Sequence, residues 1–337
     1  MSAALELACA ADAAYVPHCA VMLRSVMEQH AGEPVRLHFL HAPDLAQDSL
    51  HALAAEVQAA GARFEAHVVA PERIAGLGVL PRIPAVMWYR VLTPELLPEV
   101  DRLLYLDCDT LVCERLDELW QRELGGDLAA ACENAFDQGR PAHLSRLGLA
   151  DTQPYFNSGV LLLNLDQWRA EGTSARIVEL ARARAAQLCW PDQDALNLAL
   201  VGRWQALHPR WNTQNALYVS RAARRQIGAA RVREATRRPG IVHFEGPGFC
   251  KPWHPLCKHP RRAHYLRLRA QTRWGPFDPL AGAGPGVRLL RLLSMGGITR
   301  VLLWQAWLRD PRWRRRLRRV LAGLWRRRPL RNRGRSA

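Results

Sequence analysis

Short apolar runs alternate with longer amphipathic stretches through most of this chain. The runs at 5–11, 35–41, 63–69, 102–106, 128–132, 159–163 and 241–244 predict strands. Apolar residues spaced for one face of a helix predict helices over 19–29, 49–60, 173–187 and 192–201, the second closed by Gly61. Strand and helix alternating at this spacing predict an α/β fold, a mainly parallel, Rossmann-like mixed sheet with helices on both faces. Such sheets take ligands in the crevice outside the carboxyl ends of their strands, so chemistry is expected in the loops that follow them.

Composition changes this picture in one respect. With 337 residues, 49% of them apolar, the chain can bury a large core. The net charge of +16, however, is not spread evenly. Residues 288–337 hold 16 arginines, no lysine and one acid, Asp310, which is +15 and leaves +1 for everything before them. A neutral body carrying a basic tail is not a protein that wraps polyanions over its whole surface. The run Ala-Gly-Ala-Gly-Pro-Gly at 281–286 reads as a linker, because no strand precedes it and Pro285 interrupts it as a phosphate loop. The expected organisation is therefore a folded domain over 1–275 and a linker with a basic tail over 276–337.

In that tail Trp313, Leu317, Val320, Leu321, Leu324 and Trp325 form one apolar stripe, and nine arginines from 312 to 328 take the rest of the surface. Pro311 divides this stretch from an apolar one near 298–308. Basic amphipathic C-terminal helices are expected, lying against an anionic membrane surface. Nucleic acid is the rival polyanion, but it is not an expected partner. The eight cysteines form no CxxC pair, and the start of the chain lacks a basic segment followed by an apolar one. Reduced thiols in a cytoplasmic protein, peripheral to the inner face of the plasma membrane, are the expectation. Cys250, His254, Cys257 and His259 match no standard zinc spacing. No uncharged apolar stretch is long enough to span a bilayer.

The segment with the most chemical content is Leu103–Val112, where an apolar strand runs into Asp107 and Asp109 and then resumes. Two carboxylates inside an apolar stretch are costly unless something neutralises them. Hard oxygen ligands at that spacing suit Mg²⁺ or Mn²⁺. Alone, the pair also fits a solvated loop.

Its neighbours along the chain are more specific. They are Ala10-Ala11-Asp12 with Tyr15, Tyr89-Arg90, Tyr155-Phe156-Asn157-Ser158-Gly159-Val160-Leu161 with Asn164, Pro191-Asp192-Gln193-Asp194-Ala195-Leu196-Asn197, and His243-Phe244-Glu245-Gly246-Pro247 with Lys251-Pro252-Trp253. Each has a plainer reading. Asp12 suits a helix cap, His243 a satisfied core histidine, and Arg90 a surface ion pair. Asp192 and Asp194 suit the first turn of a helix, and Gly159 close strand packing. Taken together and in this order, they resemble glycosyltransferase family 8, in particular the bacterial lipopolysaccharide galactosyl- and glucosyltransferases, over roughly residues 5–260.

The resemblance implies a GT-A fold and a retaining, metal-dependent transfer of galactose or glucose from a UDP-hexose to a glycan or glycolipid acceptor. It implies Asp107, Asp109 and His243 as ligands of Mn²⁺ (or Mg²⁺). It also implies donor contacts from Ala10, Asp12, Tyr15, Arg90, Asp107, Cys108, Asn157, Ser158, Asp192, Gln193, Gly246 and Lys251. Arg90, Asp192 and Gln193 are the implied catalytic set. Gln193 is a poor nucleophile, which points to a front-face route; Asp192 as a covalent nucleophile is the alternative. Two departures stand out. Gly248-Phe249-Cys250 separate Gly-Pro from Lys-Pro-Trp where the family has one residue, and Ala14 replaces an asparagine before Tyr15. A nucleotidyltransferase would also use paired aspartates, but not the loop at Asp12 and Tyr15 or the element at His243.

Overall fold

The computed structural model describes residues 4–79 and 84–285, together with 287, 288 and 291. The amphipathic helices expected over 298–328 lie outside the described residues. Ten strands are formed among the described residues: β1 Leu5–Ala10, β2 Val35–His41, β3 Arg63–Val68, β4 Arg102–Leu106, β5 Thr110–Val112, β6 Ala129–Glu133, β7 Phe156–Asn164, β8 Trp204–Ala206, β9 Thr213–Gln214 and β10 Ile241–His243. Seven make one sheet in the order β3-β2-β1-β4-β7-β6-β8, and β5-β10-β9 make a second, small one.

Alternation along each central strand divides the core into two layers. Leu7 and Cys9 of β1, Leu104 and Leu106 of β4, and Val160 and Leu162 of β7 face the helices Val16–Gln29 and Gln47–Ala59. Ala8, Leu103, Tyr105, Leu161 and Leu163 face the other way, onto Trp88, Trp168 and the helices Thr173–Ala183 and Pro191–Ala199. Strands buried on both faces are what their nearly continuous apolar runs demand.

The sheet is mainly parallel and mixed, as expected; the antiparallel member is β7, which runs against both β4 and β6. This direction matters for the site. The chain enters β7 at the edge where β1 and β4 end, and β4 pairs with it from Arg102↔Asn164 to Leu106↔Val160. One residue further, Asp107 N–H donates to Gly159 O at 2.8 Å. The strand expected at 241–244 joins the small sheet instead, since β10 pairs antiparallel with β5, setting His243 opposite Thr110. β5 itself follows a tight turn in which Thr110 N–H and Oγ1 both donate to Asp107 O, at 3.1 and 2.8 Å.

Several helices begin or end away from their expected limits for local reasons. The first starts at Val16 rather than 19, because Pro17 fits a first helical turn that needs no N–H there. The helix expected over 173–187 stops at Ala183 and continues as a 3₁₀ turn, Ala185–Gln187. The apolar run Ala85–Leu92 is a 3₁₀ segment pinned by fully buried Trp88, whose Nε1 donates to Gly78 O at 3.0 Å.

The helix Pro191–Ala199 is fixed against the start of β7 by two side chains. Asn197 clamps Phe156 through its main chain, accepting from N–H at 2.7 Å and donating to C=O at 2.9 Å. Asp194, wholly buried, accepts from the main-chain N–H of Cys189 and Trp190 at 2.7 and 3.0 Å and from the Tyr155 hydroxyl, and pairs with His143 at 2.8 Å. Removing that carboxylate strands several buried donors at once. Asp194→Ala is expected to lower unfolding stability by about 3–5 kcal/mol in urea denaturation; a loss under about 1 kcal/mol would show that the network does not hold the helix.

Candidate active site

The order of strands reverses between β1 and β4, since the chain builds outward to β3 on one side and to β7 on the other. Loops leaving the carboxyl ends of β1 and β4 therefore diverge and open a crevice. The loop after β4 carries Asp107 and Asp109. Across it, the small sheet brings in His243, whose Nε2 lies 3.2 Å from Asp109 Oδ1 and 3.8 Å from Asp107 Oδ2. One ligand atom from each of the three lies within 4.8 Å of the others.

Three features of the surroundings fit a metal ion here. The donor set is two carboxylate oxygens and an imidazole nitrogen, suited to Mn²⁺ or Mg²⁺. The His243 ring is fixed from behind, because its Nδ1 donates to Asn212 Oδ1 at 3.0 Å and leaves Nε2 toward the carboxylates. The ring also lies against Gly159: a Cβ built there would stand 2.2 Å from His243 Cε1 and 2.8 Å from Asp107 Oδ2. Glycine is required at 159 by space, not by backbone angle. Burial alone would lower the His243 pKa, but the two aspartates outweigh it and raise it. Burial would likewise raise Asp109, yet Lys251 and His243 hold its carboxyl far below the usual carboxylate range.

Positive charge surrounds the cluster on two sides. Lys251 donates to Asp109 Oδ2. Arg90 donates from Nη2 to Asp107 Oδ1 at 2.8 Å and sits 3.3 Å from Asp192 Oδ2 through Nε. It also donates to Ser158 O at 2.5 Å and Met87 O at 2.9 Å, over the face of the Tyr105 ring. Arg90 thus ties the aspartate turn to the helix Pro191–Ala199. Burial pushes the Asp192 carboxyl up to about 6, against the pull of Arg90. Asp192 also accepts from Ser158 Oγ at 3.3 Å. The neighbouring Gln193 accepts from Ser158 N–H at 3.0 Å and donates to the Tyr155 hydroxyl at 3.2 Å, which fixes which way its amide points.

Each residue expected from the sequence has a definite position. Asp107, Asp109, His243, Lys251, Arg90, Asp192, Gln193 and Ser158 form one continuous group. Asn157 extends it, its Oδ1 accepting from Gly159 N–H at 3.1 Å and from Asn212 at 2.8 Å. Cys108 is turned the other way: its thiol donates to Ala10 O at 3.2 Å and sits among Cys9 and Cys19 in the core. Only its main chain is available to a ligand. Asp12 Oδ1 accepts from Tyr15 N–H at 3.0 Å in the turn before the first helix, but the cap position is Tyr15, so Asp12 is not the helix cap of its plainer reading. It also lines a cleft of about 310 Å³ with Ala13, Ala14, Asp44 and Tyr89. Gly246 takes a left-handed φ of 89° in the turn beyond β10.

The lengthened connection Gly248–Cys250 forms one 3₁₀ turn with Phe249 and Cys250 buried, and Lys251 still reaches Asp109. The loop that follows is pinned by Trp253, stacked on His18 at 3.4 Å and edge-on to Tyr15. His254 and His259 accept main-chain N–H bonds from Leu256 and Arg261, each at 3.1 Å, and Cys257 donates to Cys250 O. Sequence reading missed three site-forming groups: Asn212 behind His243, Asn134, whose Oδ1 accepts from Asn157 Nδ2 at 3.2 Å, and Tyr155 beside Gln193. Asn212 and Asn134 lie in stretches with no periodicity or motif to mark them, and Tyr155 stands in the sequence only as the start of a run.

Gly159→Ala is expected to displace the imidazole and weaken Mn²⁺ binding at least tenfold, with Asn212→Ala weaker by about 10- to 100-fold. Calorimetric titration with Mn²⁺ checks both; unchanged affinity in Gly159→Ala would separate His243 from metal binding.

The chain's likeness to known proteins agrees with this geometry. A sequence model described as Glycosyl transferase family 8 matches residues 6–257. General stress protein A of Bacillus subtilis is 33% identical over 56% of this chain and 65% of its own. The lipopolysaccharide 1,3-galactosyltransferase of Salmonella typhimurium is 27% identical over 52% and 51%, and the lipopolysaccharide glucosyltransferase WaaO of Escherichia coli 25% over 80% and 79%. The chain thus spans from about half to four-fifths of the length of these curated relatives. Among solved structures, galactosyltransferase LgtC, in complex with donor and acceptor sugar analogs, superposes with a TM-score of 0.71 and 27% identity, over 82% of this chain and 99% of that one. The fold that opens this crevice at the ends of β1 and β4 is of the GT-A type, and the chain belongs to glycosyl transferase family 8.

Proposed function

We propose that this chain is a retaining, metal-dependent hexosyltransferase that moves galactose or glucose from a UDP-sugar to lipopolysaccharide or another cell-envelope glycan. The observation that carries the reading is the convergence of Asp107, Asp109 and His243 beside Arg90, Lys251 and the fixed Gln193 amide. Mn²⁺ or Mg²⁺ held by the first three would neutralise charge developing on the departing diphosphate. Lys251 adds fixed positive charge at the same place, in a pocket from which water is largely excluded. The cleft beside Asp12, apolar for the most part with Asp12 and Asp44 on its wall, suits a nucleoside base; Asp12 and nearby Tyr15 are the candidates for a uracil.

At the sugar, Asn157, Asp192 and Gln193 offer hydrogen-bonding groups to hydroxyls. Gln193 is an amide already bonded on both sides, a poor nucleophile. That favours a front-face displacement: the acceptor hydroxyl attacks from the side the phosphate leaves, and the departing phosphate oxygen takes the hydroxyl proton. Asp192 as a covalent nucleophile would first have to leave Arg90 and Ser158, to which it is bonded. The names of the Salmonella and Escherichia relatives supply the lipopolysaccharide part of the reading.

Incubation with Mn²⁺ and a panel of nucleotide sugars tests it. UDP-galactose or UDP-glucose should be slowly hydrolysed, GDP- and CMP-sugars should not, and EDTA or Asp109→Ala should cut the rate by about 10²-fold or more. Full activity in EDTA, or an inverted linkage in the product by NMR, would remove the reading.

The tail is proposed to hold the enzyme at the inner face of the plasma membrane, on composition alone: 16 arginines and a tryptophan-bearing stripe. Among the described residues no helix is long and apolar enough to cross a membrane. A chain ending at Gly286 should keep donor hydrolysis but cease to sediment with anionic vesicles. Since each arginine near such a surface contributes on the order of 1 kcal/mol, the loss should be large and salt-sensitive. Equal sedimentation of the two forms would end the membrane reading, and preference of the intact chain for duplex DNA would replace it.

A further inference from the structure

Away from the crevice, a second group of metal-ligating side chains lies on the wing formed by β1, β2 and β3. The parallel register sets His38 beside Glu65 and, two residues on, Leu40 beside His67. Side chains two apart on a strand share a face, so His38, Glu65 and His67 project from the same side of the sheet. Glu6, paired in register with Arg36, joins them there. His38 Nδ1 lies 3.1 Å from His67 Nε2 and 3.6 Å from Glu65 Oε2. One ligand atom from each of the three falls within 4.8 Å of the others.

Two facing imidazole nitrogens can hold only one proton between them. His38 is 1% exposed, and its far nitrogen, Nε2, pairs with Glu6 Oε2 at 2.8 Å. A carboxylate behind an imidazole fixes the ring and tautomer and leaves the near nitrogen's lone pair forward, as in carboxylate–histidine–metal arrangements. Nitrogens each about 2.0–2.1 Å from a zinc-like ion stand roughly 3 Å apart at the usual angles, which is the separation here. Glu65 Oε1 is held by Arg36 and Arg63 at 2.9 and 2.8 Å, which turns Oε2 toward His38, with Arg36 Nη2 reaching Oε2 more weakly at 3.3 Å. Burial and the neighbouring His38 keep the His67 imidazole below its ordinary range, and the half-buried ring remains open to solvent.

We infer that His38, His67 and Glu65 form a binding site for a borderline divalent transition ion of the Zn²⁺ kind. Two nitrogens and one carboxylate suit such an ion better than Mg²⁺, so the site differs in chemistry from the one at Asp107. Binding replaces the hydrogen bond between the rings and requires only that the His67 proton move to its other nitrogen. The ion ties β3 to β2. Because β3 is the sheet's end strand, paired along one side alone, it is the strand that gains most from such a tie.

The test is calorimetric titration of the full chain with Zn²⁺, beside His67→Ala, with the Co²⁺ absorption spectrum of each. Removing His38 would open the core, so the half-buried His67 is the position to change. Ions taken by the aspartate cluster or by cysteines count equally in both proteins, so the difference isolates this site. Wild type should bind one more Zn²⁺ than His67→Ala and show a larger rise in Tm on adding zinc, while both hydrolyse donor equally in Mn²⁺. Equal stoichiometry and equal Tm shifts would overturn the inference without touching the proposed activity, and a Co²⁺ difference spectrum carrying thiolate charge transfer would move the ion to cysteines and overturn it too.

Discussion

The close approach of the His243 ring to the backbone of Gly159 is the contact around which the crevice is assembled. It requires β7 to run antiparallel beside β4, so that Gly159 stands level with Asp107, and it requires the small sheet to deliver β10 to the same point. With any side chain at 159, the imidazole and the aspartate would be driven apart. Everything else in the site is built on that convergence: Asn212 holds the ring from behind, and Arg90 ties the aspartate turn to the helix Pro191–Ala199.

The electrostatics follow from the same geometry. Five charged or chargeable side chains (Arg90, Asp107, Asp109, Asp192 and Lys251) meet the His243 imidazole in a space where water is scarce, and none is left without an opposite partner. Buried charges are tolerated only under that condition. Lys251 and Arg90 offset the carboxylates that a divalent cation would otherwise have to neutralise alone, which lets the cluster persist as a folded unit. In the proposed reading, these same two cations face the diphosphate. The fit between a stable charge network and a transfer site is then one arrangement serving two ends.

Support for the site is as ordered as the site. Asp194 and Asn197 contribute no group to a ligand, yet they fix the helix that presents Asp192 and Gln193 to Ser158. The stacked pair His18–Trp253 does the same for the loop that carries Lys251. Both supports join segments far apart in the chain, and Gly248–Cys250, two residues longer than the spacing the resemblance implies, is taken up as a helical turn that leaves Lys251 on Asp109.

The sequence alone determined much of this. Apolar runs bounded by turns are enough to mark β1 and β4, because strands buried on both faces are nearly apolar throughout. The carboxylate pair inside an apolar run drew attention to Asp107 and Asp109, because desolvating two charges is costly, but alone it fitted a solvated loop equally. Ordered motifs then marked His243, Arg90, Lys251 and Gln193 through resemblance. What the tertiary structure alone decided is direction and proximity. Nothing local in 156–164 specifies that β7 runs antiparallel, since a strand's residues look the same in either direction and pairing partners lie dozens of residues away. Asn212 and the space at Gly159 were invisible for the same reason: their roles exist only once three separate segments meet. The orientation of Cys108 toward the core, and of His38 toward His67, likewise depends on register between strands, which a one-residue slip would reverse.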